Sequence, residues 1–117
     1  MSLRIAILAL PIAGLLASAA PAGDATRGKT VYTENACYFC HGTAAQGGAN
    51  GPRLAAIART ADAFLRYVRR PAGAMPAFSE KLLTDQDLID VLAYLQSLPA
   101  AKPAHDIPLL AQLARKP

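Results

Sequence analysis

Both cysteines of the chain lie in one pentapeptide, Cys37-Tyr38-Phe39-Cys40-His41, and no other feature constrains the fold as strongly. Two thiols three positions apart, at the start of a helical turn, can each form a thioether with one vinyl group of a haem. The adjacent imidazole then lies under the ring, where it can bind iron. C-x-x-C-H is the pattern of covalent c-type haem attachment, so Cys37 and Cys40 are the candidate attachment points and His41 the candidate proximal ligand. A thioredoxin-like disulfide expects a strand before the motif, and none is visible. A zinc site would need Cys37, Cys40, His41 and His105, yet adjacent Cys40 and His41 suit a tetrahedron poorly and His105 lies in a Pro-rich tail. A structural disulfide has no use for the histidine, although export would permit one.

Export follows from the N-terminus. Residues 1–4 carry one arginine, residues 5–16 are almost uninterrupted Leu, Ile and Ala, and Ala17-Ser18-Ala19 supplies small residues at an A-x-A spacing. This reads as a secretory signal peptide over residues 1–20, cut after Ala19, Ala20 or Ala22. The alternative is an uncleaved membrane anchor, but the apolar run is shorter than the ~20 residues that span a bilayer and is interrupted by Pro11 and Gly14, so cleavage is expected and with it no membrane insertion of the mature chain. The expected destination is the periplasm. The exported chain is small enough to need a staple for its core, which a covalent haem supplies.

Composition excludes more than it specifies. The 117 residues suit one domain, and 12 basic against 8 acidic residues give a net charge too weak to imply nucleic acid as a partner. No stretch alternates at period two, so the fold expected is all-α, three to four short helices around the haem. Asp24 caps a first helix over 25–35, with Gly28, Val31 and Tyr32 on one face. Residues 42–52 are a glycine-rich loop able to lie close against a ligand. Thr60 caps a helix ending at Pro71, on which Phe64, Tyr67 and Val68 share a face. Thr84 and Asp87 form a capping-box pattern ahead of Leu88, Val91, Leu92 and Leu95, and Pro99 ends that helix. Gly28, Tyr32 and Tyr94 suggest a close helix crossing in which the missing Cβ of Gly28 admits an aromatic ring. The domain spans 24–99, and residues 100–117 read as an extended Pro/Ala-rich tail.

The sixth iron position decides between electron transfer and ligand chemistry. After export one methionine remains, Met75 in Gly73-Ala74-Met75-Pro76-Ala77-Phe78, a segment whose small residues and stiffening proline suit a strand of chain laid over the haem face. A core-filling methionine and ligation by His105 are the alternatives. A proximal imidazole normally donates its other N–H to a carbonyl, and Pro52 is the candidate acceptor. Arg53, Arg59 or Arg66 can meet a haem propionate, with Arg53 the first candidate.

Cys37-x-x-Cys40-His41, Gly51-Pro52-Arg53-Leu54, Gly73-Ala74-Met75-Pro76 and the helix over 88–95, in this order, resemble the small single-haem cytochromes c with His and Met ligands, over about residues 24–98. Within that group, Ala74-Met75-Pro76-Ala77-Phe78, Leu83-Thr84-Asp85 and Ala93-Tyr94-Leu95-Gln96-Ser97-Leu98-Pro99-Ala100 look most like the cytochrome subunits of p-cresol methylhydroxylase and eugenol hydroxylase. That resemblance implies a non-catalytic, electron-transferring cytochrome subunit with one haem c. Its electrons would come from a flavoprotein large subunit that oxidises a 4-alkylphenol, and would pass to a copper protein or an oxidase. A freely diffusing periplasmic shuttle for another dehydrogenase or a terminal oxidase is the alternative.

Overall fold

The computed structural model describes residues 22–113. The expected signal peptide lies outside the described residues. Among them there are five α-helices and no strand, so the fold is all-α.

Helix α1 (Ala25–Glu34) begins where the Asp24 carboxylate accepts the backbone N–H groups of Thr26 and Arg27, at 2.8 and 3.0 Å. Those donors would otherwise be orphaned at a helix start. Its inward stripe is Gly28, Val31 and Tyr32. It stops at Asn35, whose side-chain amide donates to the Val31 carbonyl at 2.9 Å. Ala36 then takes φ 55°, which turns the chain into the short helix α2 (Tyr38–His41) carrying the cysteine motif.

Helix α3 (Ala61–Arg69) is capped by Thr60 and buries Phe64 and Val68. Tyr67 does not share that burial. It is 39% exposed and lies under the Arg59 guanidinium, 5.2 Å from its ring centre, an arrangement that helical spacing alone does not reveal.

Helix α4 (Asp85–Ser97) starts with a reciprocal capping box between Thr84 and Asp87. It buries Leu88, Val91, Leu92, Tyr94 and Leu95. It crosses α1 so closely that a Cβ on Gly28 would stand 1.9 Å from the Asp90 carbonyl oxygen. Gly28 therefore admits the backbone of α4, not an aromatic ring. The rings of Tyr32 and Tyr94 meet beside the crossing, with centres 5.5 Å apart and planes tilted by 60°. Burial of a side chain such as Leu95 contributes about 1.5–3 kcal/mol, so this crossing is the backbone of the core.

A polar lock closes the same crossing. Asp90, 2% exposed, accepts from the Asp24 N–H at 2.9 Å, from Gln86 at 2.8 Å and from Arg27, which also pairs with Asp87. Burial pushes the Asp90 carboxyl up, but these donors outweigh it and hold it below the usual carboxylate range. Asp87 is held low as well, first by the Thr84 hydroxyl and backbone N–H and then by Arg27.

The tail is less extended than its composition predicts. Ala104–Asp106 form a 3-10 turn and Pro108–Leu113 form α5. Pro108 occupies the first helical position, where its missing N–H costs nothing, and Leu, Ala and Gln are good helix formers. Neither piece contributes a buried residue.

Candidate haem site

The candidate residues lie on the turn at the end of α1, on the loop over 42–60, which the structure brings against that turn, and on the loop between α3 and α4. Cys37 and Cys40 are free thiols, both half-buried, one helical turn apart. Burial pushes the Cys37 thiol up, against a smaller opposing pull from a backbone hydrogen bond. Between them Phe39 is 75% exposed and Tyr38 40% exposed.

His41 is buried, at 8% exposure. Its Nδ1 lies 2.9 Å from the Pro52 carbonyl oxygen. A carbonyl only accepts, so Nδ1 carries the proton and Nε2 keeps its lone pair for a metal. The ring is held in place from two further directions. Tyr32 donates its hydroxyl to the Gly42 carbonyl at 2.8 Å, tying the residue after His41 to α1. Gly51 packs so near that an added Cβ would stand 2.9 Å from the Cys40 carbonyl and 3.1 Å from His41 Nδ1.

Sequence reasoning overlooked the residue that shapes this loop, Ala45. It is fully buried at φ 52°, and its carbonyl accepts the N–H groups of both Leu54 and Ala55 at 2.9 Å. That pair of hydrogen bonds to the chain just after Pro52-Arg53 places the Pro52 carbonyl. An alanine in a glycine-rich loop carries no outward sign of this role. The loop is then fastened to α4 by Ala56 N–H to the Leu95 carbonyl at 2.8 Å.

Met75 is half-buried and packs against the edge of the core, as does Phe78. Ala74, Pro76 and Ala77 around it are exposed. Gly73 adopts φ 71° with open space where a Cβ would be, so glycine serves the backbone turn there and not a tight contact.

The three arginines considered for a propionate all have partners in the protein. Arg53 donates to the Pro99 carbonyl at 2.7 Å, Arg59 stacks on Tyr67, and Arg66 pairs with Asp62. Arg69, which the sequence marks only as one of a basic cluster with Arg53, Arg59, Arg66 and Arg70, is among the described residues the least exposed arginine with a carboxylate partner, 17% exposed and bonded to Asp85.

The donor set tests the alternatives. Among the described residues no group of three or more His, Cys, Asp or Glu side chains is placed to hold a metal ion, and His105 is 80% exposed beside Asp106. The tetrahedral zinc reading therefore lacks its ligand set. Two unpaired thiols in one turn, a buried imidazole with a free Nε2 and a soft, half-buried thioether at Met75 are the donor types that haem c takes. An all-α fold with such a donor set defines a c-type cytochrome, a class of electron-transfer proteins. Within that class, the family model described as cytochrome c oxidase, cbb3-type, subunit III matches residues 23–95, more than half of the chain, and the chain belongs to that family. Its cofactor is covalently bound haem c, for which Cys37 and Cys40 are present. No curated protein and no solved structure matches the chain. No helix among the described residues is long and apolar enough to cross a membrane.

Proposed function

We propose that Cys37 and Cys40 hold the haem, that His41 Nε2 and the Met75 thioether are the axial ligands, and that the exported protein carries single electrons in the periplasm. The observation that carries the reading is buried His41 with Nδ1 held by the Pro52 carbonyl, which orients the ring and leaves Nε2 as the only donor it offers. The haem supplies an iron that holds one electron at a time. The chain positions the imidazole, offers a thioether from the Met75 loop and screens the site with the buried faces of α1, α3 and α4. A chain loaded with haem in this way keeps its colour after denaturation; colour that acidified organic solvent extracts contradicts thioether attachment.

The finer part of the reading concerns the donor. The stretch Ala74-Met75-Pro76-Ala77-Phe78 and the end of α4 support a periplasmic flavoprotein that oxidises a 4-alkylphenol of the cresol or eugenol type, with this chain as its cytochrome subunit. A flavin takes two electrons from substrate at once and a single haem holds one, so a docked cytochrome cycles twice per turnover, and its electrons pass on to a copper protein or an oxidase. The second reading is a freely diffusing periplasmic shuttle for another dehydrogenase or a terminal oxidase, and the oxidase named in the family description supports the latter as its partner. Gel filtration of a periplasmic extract separates the two. Haem co-eluting with flavin and reduced by a phenol supports the subunit; haem running alone at the size of the bare chain and reduced by unrelated dehydrogenases supports the shuttle.

A further inference from the structure

We infer that Arg69 is the positioning residue that holds the Met75 loop against the site, an inference that rests on the reading of Met75 as the distal ligand. The loop leaves α3 at Arg70 and reaches α4 at Asp85. Among the described residues, 71–77 make no hydrogen bond of their own, so apart from the packing of Met75 on the core edge the segment is held only from its ends. Its first fixed point is Phe78, three residues beyond the methionine. There the N–H donates to the Val68 carbonyl at 3.2 Å, and the carbonyl accepts from Arg69 Nη1 at 2.9 Å. Both polar groups of the Phe78 backbone are thus held by consecutive residues of the last turn of α3. The other arm of the same guanidinium, Nη2, reaches Asp85 Oδ1 at 2.6 Å and ties the clamp to the first residue of α4.

The remaining nitrogen, Nε, is buried without a partner, a cost that the two-armed grip offsets. Pro76, with its fixed φ, stiffens the short link between Phe78 and Met75. A guanidinium fork can meet a carbonyl and a carboxylate simultaneously from one rigid plane, whereas a lysine ammonium on a flexible stem holds neither in fixed geometry. The reach of the thioether toward the iron therefore depends on Arg69.

The test uses haem-loaded wild type and the variants R69A, R69K, D85N and M75A, measuring carbon monoxide binding to the ferrous form, reduction potential and melting temperature. R69A is expected to keep its haem, to bind carbon monoxide about tenfold more tightly than wild type, the factor for losing one charged hydrogen bond, and to shift its potential toward that of M75A. R69K should move in the same direction by less. D85N removes the charge of the exposed arm but leaves the Phe78 bond, so it should melt earlier and keep wild-type ligand binding and potential. Arg69 variants that melt earlier yet match wild type in carbon monoxide affinity and potential, while M75A differs from wild type, overturn the positioning role alone. If R69A does not fold, R69K decides by the same two readouts. An M75A protein that binds carbon monoxide no better than wild type overturns the Met75 reading, and the role of Arg69 with it.

Discussion

Gly51 shows how little room the site leaves at the scale of single residues. A methyl there meets the Cys40 carbonyl at 2.9 Å and the His41 ring at 3.1 Å, and both are backbone or tightly held. Gly51→Ala should cost about 1–3 kcal/mol by overpacking and, by rotating the imidazole off the Pro52 carbonyl, should alter the reduction potential, which a redox titration reads. Met75→Ala should leave the haem attached, lower the potential and open the ferrous iron to carbon monoxide. The pentapeptide of Cys37, Cys40 and His41 was legible in the sequence because its chemistry resides in spacing. Pro52 was legible because a histidine beside a metal needs an acceptor and a Gly-Pro turn exposes one. Ala45 and Arg69 were not, because the burial of one and the two-armed grip of the other arise from residues brought together only on folding.

The helices announced themselves where their signals are local. Asp24, Thr60 and Thr84 cap as their side chains dictate, and the stripe of Leu88, Val91, Leu92 and Leu95 buries as its spacing requires. Thr84→Ala should cost about 1 kcal/mol, visible as a lower denaturation midpoint with haem binding intact. What the sequence hides is what each helix touches. The space beside Gly28 belongs to the Asp90 carbonyl, and Tyr67 faces Arg59 instead of the core. Gly28→Ala should therefore be the most damaging small substitution in the helices, forcing α1 from α4 backbone against backbone at a cost of about 3 kcal/mol or more, measured by denaturant unfolding. The helical turn after Pro108 is hidden in the sequence because a Pro-rich stretch has the composition of an extended tail, whereas this proline serves as a helix's first residue.

For the whole molecule, stability is concentrated in the α1 and α4 crossing and its carboxylate lock. Asp87 and Asp90 have folded pKa values below their unfolded ones, so their contribution is fully present above the unfolded aspartate value of about 3.9 and is lost as pH falls through the folded values. Melting temperature should accordingly hold steady down to the weakly acidic range and then drop, and Asp90→Asn should flatten that acid limb while lowering stability near neutrality. Among the described residues none beyond Ala100 is buried, so a chain ending there should have an unfolding free energy within about 0.5 kcal/mol of the full protein's. The central claim, that His41 and Met75 would both ligate the haem iron for electron transfer, is tested most directly by the absorption spectrum of the ferrous wild-type protein before and after carbon monoxide is added. The predicted result is a haem spectrum that the gas leaves essentially unchanged at concentrations that saturate Met75→Ala. A wild-type spectrum that shifts as readily as that of the variant would contradict it.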